Sequence, residues 1–240
     1  MNDTRLAYID PQDSLRLRGG DGLYERFETA LVKRHLKPGQ IFVDVGAHIG
    51  YYSVLAASIV GPTGGVYAYE PNPANVELLR ANTEQFEGIV RMRDCAVSDA
   101  PGRAKLYLSA TNSGDHQLFR SVGREAVDVA VISLDSDPAL AGLSVNILKI
   151  DVQGLEVSVL RGARELIARS PSLMGIVEYS PAHLRLAGLK RPGDLLDMLN
   201  GMGLNAYLHE KKRRLKVAKP QSLKNLVSHT NLIISRGQLL

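Results

Sequence analysis

The residues with the clearest chemical potential are two acids, each closing an apolar run. Ile41-Phe42-Val43 leads into Asp44-Val45-Gly46-Ala47-His48-Ile49-Gly50, and Val66-Tyr67-Ala68-Tyr69 leads into Glu70-Pro71-Asn72-Pro73. An apolar run that ends in an acid is how a buried parallel strand reads where its carboxyl end opens on a ligand crevice. Gly46 and Gly50 let the backbone turn tightly and approach a ligand, while Glu70 stands at a strand tip, where a carboxylate can grip a ribose diol. A nucleoside-containing cofactor is therefore expected. The glycine spacing is G-x-x-x-G, not the G-x-G-x-x-G that cradles a pyrophosphate at a helix amino terminus, so S-adenosyl-L-methionine fits better than a dinucleotide. The same missing motif disfavours an NAD-dependent dehydrogenase or epimerase. Asp44-Val45-Gly46 alone could be an ordinary strand-to-helix turn; the second acid, at the right distance after a strand of the same kind, argues for a site.

These residues need strands and helices in alternation to hold them. Leu23, Phe27, Ala30 and Leu31 recur at helical spacing between Asp21, a plausible cap, and Pro38-Gly39, a plausible stop. A helix after Gly50 should run to Ile59 and stop at Gly61-Pro62, and Ala74 to Gln85 should form the next. The strand Ile89 to Met92 then runs into Asp94-Cys95-Ala96-Val97. Residues 100 to 140 break the alternation: Ala104 to Leu108 and Val127 to Ile132 read as strands around the polar loop Thr111 to His116, a β-rich insertion. Alternation resumes with a strand over Val145 to Asp151, a helix over Leu155 to Ala168, a strand over Leu173 to Glu178 and a helix over Pro192 to Met202. A final antiparallel pair, Asn205 to His209 and Thr230 to Ser235, closes the chain. The pattern predicts a doubly wound, Rossmann-like α/β fold with a mostly parallel sheet of about seven strands. Residues 1–40 are expected to form a helical extension or lid and residues 41–240 the main domain.

A chain of 240 residues with 45% hydrophobic residues can bury one substantial core. The single cysteine, Cys95, permits no intramolecular disulfide. With no charged-then-apolar leader and no apolar run near the ~20 residues a membrane helix needs, a cytoplasmic chain is expected. Charge is uneven: residues 190–240 hold ten Lys and Arg against three Asp and Glu, while the rest of the chain is slightly acidic. The excess centres on Lys211-Lys212-Arg213-Arg214-Leu215-Lys216. Such a run is either a solvated hairpin or a contact for an anionic partner, whether an acceptor, RNA or a membrane surface. Only 5% of residues are aromatic, few for stacking on bases, so nucleic acid is the disfavoured partner.

Four blocks in order, Asp44 to Ser53, Tyr69 to Pro73, Asp94 to Asp99 and Leu148 to Gly162, make the chain resemble the FkbM-type methyltransferases over roughly residues 24 to 235. The resemblance implies a class I methyltransferase fold, S-adenosylmethionine as cofactor, and O-methylation of a hydroxyl on a sugar, glycolipid, polyketide or related metabolite. It assigns the loop Asp44, Gly46, Ala47, His48 and Gly50 to the methionine part, Glu70 to the ribose, and Asp94, Cys95 and Ala96 to the adenine, with Pro71 and Asn72 also among the cofactor-binding residues. The family more often has Asn where His48 stands and Glu where Gln153 stands. His48 is thus either a cofactor contact or a loop filler, and Gln153 is no essential acid. Asp44 either binds the cofactor's ammonium or braces the turn. One of Tyr51 and Tyr52 is expected to line the pocket.

On the acceptor side, Asp151 and Glu178 end strands expected to be neighbours and so face one crevice. They are the candidate catalytic pair, as a base or, less favoured, as joint ligands of Mg²⁺. His183 and His116, expected in loops, are further candidate proton acceptors. Glu156, on the following helix, is either a helix-surface acid or part of the site.

Overall fold

The structure, a computed structural model, describes residues 6–9, 15, 23–118, 122–186, 191, 193–210, 214–224, 226 and 229–239. The chain divides into two compact units, residues 1–96 with 102–131, and residues 97–101 with 132–240.

In the first unit, helix α1 (Arg26–His35) precedes strand β1 (Ile41–Val45), helix α2 (Tyr51–Val60), strand β2 (Gly65–Tyr69), helix α3 (Pro73–Thr83) and strand β3 (Val90–Arg93). β1 pairs parallel with β2, and β2 with β3. β2 is buried at all five positions and β1 at four, which is why both read as continuous apolar runs rather than alternating ones. Helix α2 buries residues on every side, including Tyr51, Tyr52, Ser53, Val54 and Leu55, so its sequence carries no amphipathic stripe. Truncating a wholly buried side chain such as Phe42 would cost roughly 3–5 kcal/mol in transfer and cavity terms. α3 starts where expected because Asn72 caps it, its Oδ1 accepting from the amides of Ala74 and Asn75 at 2.8 and 3.2 Å, with Pro73 in the first turn. The insertion is β-rich, as expected. After the short strand β4 (Ala96–Val97), β5 (Gly102–Tyr107) and β6 (Ala126–Ile132) pair antiparallel. Ala96, Leu106 and Val129 form their small core.

The second unit carries β7 (Ile147–Ile150), α4 (Glu156–Arg161), α5 (Arg164–Ala168), β8 (Met174–Tyr179), α6 (Pro181–Leu186), α7 (Gly193–Gly201), β9 (Asn205–Glu210), β10 (Arg214–Val217), α8 (Pro220–Lys224) and β11 (Thr230–Ser235). β7 and β8 are parallel neighbours, and β11 pairs antiparallel with both β8 and β9. The expected final pair therefore forms, but β10 and α8 lie between its strands and β10 extends the sheet beyond β9. The single helix expected over Leu155 to Ala168 is two. A Cβ on Gly162 would stand 2.1 Å from the Ser98 carbonyl oxygen, so another segment's backbone passes against this turn. Asp135 then caps the new helix from a distance, its carboxylate accepting from the amides of Glu165 and Leu166 at 3.0 and 2.8 Å.

No helix among the described residues is long and apolar enough to cross a membrane. Asp21, Pro192 and Lys211, Lys212 and Arg213 of the basic run lie outside the described residues.

Candidate functional site

The turn after β1 is tied to the tip of β2 by its own backbone. The amides of Gly46 and Ala47 both donate to the Tyr69 carbonyl at 3.0 Å, and the His48 amide donates to Glu70 Oε2 at 2.8 Å. Gly46 and Gly50 have φ of 81° and 92°, the left-handed conformations their type permits. His48 adopts φ 53° as well, which is uncommon for a residue with a side chain. At Gly50 a Cβ would also stand 2.7 Å from Leu79 Cδ1, so the loop lies close on α3. Asp44 is buried, and its Oδ2 accepts from Ser53 Oγ at 2.7 Å. This contact anchors the start of the loop to α2 through one carboxylate oxygen.

Glu70 is the centre of the arrangement. Its Oε1 accepts from the Asn72 amide at 2.9 Å and from Asn75 Nδ2 at 3.3 Å, while Oε2 takes the His48 amide. Burial raises the Glu70 carboxyl to about 7; these three donors and a smaller repulsion from Asp44 act against and with that shift respectively. A carboxylate with one or two amide donors on each oxygen retains lone pairs for hydroxyl hydrogens. Asn75 contributes a second bond, from Nδ2 to the Ser113 carbonyl at 3.2 Å, and His48 Nε2 meets Ser113 Oγ at 2.9 Å. Sequence reasoning missed Asn75 and Ser113, because neither lies in a glycine turn or at a strand tip. The loop around Ser113 is held in part by His116, whose Nδ1 accepts from the Ser109 amide at 3.0 Å. Burial first, then Arg124, hold His116 below the usual histidine range. It sits in a loop as expected, and its bond makes it a structural acceptor there.

The adenine candidates differ in environment. Cys95 and Ala96 are buried, whereas Asp94 is exposed and paired with Arg80 at 3.3 Å. Pro71 is half-buried and Asn72 is occupied as the α3 cap. Tyr51 and Tyr52 are both buried; Tyr51 Oη lies 3.3 Å from Thr29 Oγ1 and Tyr52 Oη donates to Glu25 at 2.8 Å. With Tyr24 they form an edge-to-face trio, so both serve packing.

In the second unit, Asp151 follows β7 and Glu178 lies in β8, one position after Val177, which pairs with Ile150. The expected neighbours are thus neighbours. Lys149, itself buried, donates to Asp151 Oδ2 at 3.0 Å, and Gln153 Nε2 donates to both Asp151 Oδ1 at 3.0 Å and Glu178 Oε2 at 3.1 Å. An ammonium and an amide NH₂ therefore face the oxygens that a cation would need, and this donor set does not suit Mg²⁺. Among the described residues no three His, Cys, Asp or Glu side chains cluster to hold a metal.

Two further placements correct the expectations. His183 is on helix α6, not in a loop. Glu156 is no helix-surface acid: it is fully buried, and its Oε1 accepts from the amides of Gly154 and Val152 at 2.9 and 3.4 Å. It staples the turn after Asp151. Burial raises its carboxyl to about 7, against the pull of those amides.

Comparison with known proteins places this geometry. The methyltransferase FkbM domain matches residues 44–205. The chain is 32% identical over 161 residues to the 31-O-demethyl-FK506 methyltransferase FkbM of Streptomyces tacrolimicus, covering 54% of this chain and 62% of that protein. It is 26% identical over 136 residues to the hexuronic acid methyltransferase AglP of Haloferax volcanii, covering 55% of this chain and 53% of that one. Among solved structures, a methyltransferase FkbM from Methylobacillus flagellatus gives a TM-score of 0.50 at 16% identity, over 86% of this chain and 50% of that chain. A putative rRNA-methylase from Clostridium thermocellum gives 0.54 at 9%, over 87% and 92%. The chain spans less than two thirds of the length of either curated relative, and the structural likenesses show the Rossmann-like fold. With the glycine turn, the Glu70 tip and the Asp151 to Gly162 block all inside the matched range, the chain belongs to the FkbM methyltransferase domain family.

Proposed function

We propose that the chain binds S-adenosyl-L-methionine through the Asp44 to Gly50 turn and Glu70, and transfers its methyl group to a hydroxyl of a sugar or polyketide-type acceptor. The observation that carries this reading is Glu70, a buried carboxylate at a strand tip, oriented by three amide donors. Such a group can accept two hydroxyl hydrogens in fixed geometry, as a ribose diol requires. The names of the two relatives, a 31-O-demethyl-FK506 methyltransferase and a hexuronic acid methyltransferase, support the acceptor class.

Methyl transfer is an in-line displacement. The acceptor oxygen forms a bond to the methyl carbon as the carbon–sulfur bond breaks, the sulfonium leaves as a neutral thioether, and the hydroxyl proton must go to a base. Alignment at ~3 Å supplies much of the rate, on the order of 7–11 kcal/mol. Asp151 or Glu178 is proposed as the proton acceptor, since both are acids at the ends of adjacent parallel strands and one side-chain amide orients the two together. The buried Lys149 ammonium holds Asp151 Oδ2 in place at 3.0 Å.

The test uses isotopically methyl-labelled cofactor with two acceptor probes, a hexuronic-acid-terminated oligosaccharide and a macrolide lactone bearing a free secondary hydroxyl. The expected result is label in an ether on one of them. Label found only in added RNA, or in neither probe while the protein binds NAD, would contradict the proposal.

A further inference from the structure

Gln153 occupies an unusual position. Its one amide nitrogen lies 3.0 Å from Asp151 Oδ1 and 3.1 Å from Glu178 Oε2. An amide NH₂ carries two hydrogens, so each acid takes one. With no cation between the acids, the opposite orientation would press a carbonyl oxygen against two carboxylates, so the donor end faces them.

The turn that holds this amide is constrained from several sides. Gln153 has φ 54° and Gly154 φ 110°, and a side chain at Gly154 would meet His183 Cβ at 2.9 Å and its backbone at 3.0 Å. Glu156 fastens the same turn through the Gly154 and Val152 amides. Lys149 fixes the second oxygen of Asp151. The side chain of Gln153 is thus aimed by a left-handed residue in a turn packed flat on α6, a conformation that costs energy unless the surroundings hold it. A divalent ion joining two carboxylates needs oxygen donors around the point where this nitrogen stands.

We propose that Gln153 is the positioning residue of the acceptor-side acids: its amide bridges Asp151 and Glu178 where a divalent ion would otherwise stand, and makes catalysis by this chain independent of metal. The proposal rests on the assignment of Asp151 and Glu178 as the acceptor-side pair. Its consequence is specific. Exchanging the amide for a third carboxylate converts the cluster from hydrogen-bonded to cation-binding.

Mn²⁺ is the probe, titrated calorimetrically and by its electron paramagnetic signal into the full chain, with S-adenosylhomocysteine affinity as the control for folding. The wild type should show no saturable binding below about 1 mM, and Gln153→Glu should bind at least about tenfold tighter. The melting temperature of Gln153→Glu, and not of the wild type, should rise with added Mn²⁺. Adding Asp151→Asn to that variant should remove the gain. Saturable wild-type binding that Asp151→Asn abolishes would overturn the proposal, as would a Gln153→Glu chain that retains cofactor affinity and gains nothing. If Gln153→Glu does not fold, Gln153→Leu decides: kcat on the accepted probe should fall about tenfold or more with KM for S-adenosylmethionine unchanged, and chelator should leave wild-type turnover intact. Wild-type kcat in Gln153→Leu, or turnover abolished by chelator, would overturn it. Unchanged turnover in both Asp151→Asn and Glu178→Gln defeats the acceptor-side assignment instead, while the Mn²⁺ result still reports whether Gln153 excludes a cation.

Discussion

Glu70 and Glu156 show how one residue type can serve two purposes at two buried positions. Both carboxyls are raised to about 7 by burial. A carboxyl whose folded pKa lies above its unfolded value adds stability that is fully present below about pH 4.5 and is lost as pH rises through about 7. Glu156→Gln keeps an oxygen to accept from Gly154 and Val152 but cannot ionise. In thermal melts it should flatten the loss of stability between about pH 5 and pH 8, and a slope equal to wild type would remove Glu156 from that linkage. In its proposed role Glu70 acts oppositely on binding, because ribose hydroxyls would donate to the ionised form. S-adenosylhomocysteine affinity should be about tenfold weaker at about pH 6 than at about pH 8, with protons released on binding near neutrality. Calorimetry in buffers of different ionisation enthalpy measures both. Glu70 was legible in the sequence because an acid ending an apolar run has few structural explanations. The staple role of Glu156 was not, since an acid one residue past a turn looks identical whether it points to water or back at the turn's amides.

The elements around the first site are coupled through single side chains. Asn75, on α3, donates to Glu70 and to the Ser113 carbonyl, so that acid and the loop of the β-rich insertion share one amide. Asn75→Ala should weaken S-adenosylhomocysteine binding by ~0.5–1.5 kcal/mol and speed hydrogen exchange in residues 109–117 together. Faster exchange with unchanged affinity would separate the loop from the site. In the second unit the turn after β7 depends on Gly154. Gly154→Ala combines a left-handed backbone with a Cβ at 2.9 Å from His183 and should destabilise the protein by roughly 2 kcal/mol or more in denaturant titration. Strands β1, β2, β7 and β8 were readable because burial on both faces writes a continuous apolar run. The break between α4 and α5 was not, because its cause is the Ser98 backbone, more than sixty residues away in sequence, lying against Gly162. The insertion loop was seen as polar and its site contact was not, as Ser113 reaches His48 and Asn75 only through tertiary folding.

At the scale of the molecule, sequence blocks placed the doubly wound architecture and the family; β10 was legible only as the hairpin alternative for the basic run, which its antiparallel pairing with β9 matches, and helix α8 escaped because five residues are too few to show a helical period. The metal alternative is the disfavoured one on chemical grounds, because the side chain placed between the two acids is an amide donor. The first unit is proposed as a nucleoside-cofactor site of the sulfonium type. Calorimetric titration of S-adenosylhomocysteine, with NAD as the competing ligand and Glu70→Ala as the variant, tests that most directly. The wild type should bind S-adenosylhomocysteine and ignore NAD, and Glu70→Ala, still melting cooperatively, should bind ~1–3 kcal/mol more weakly. Binding of NAD, or an affinity for S-adenosylhomocysteine unchanged in folded Glu70→Ala, would contradict it.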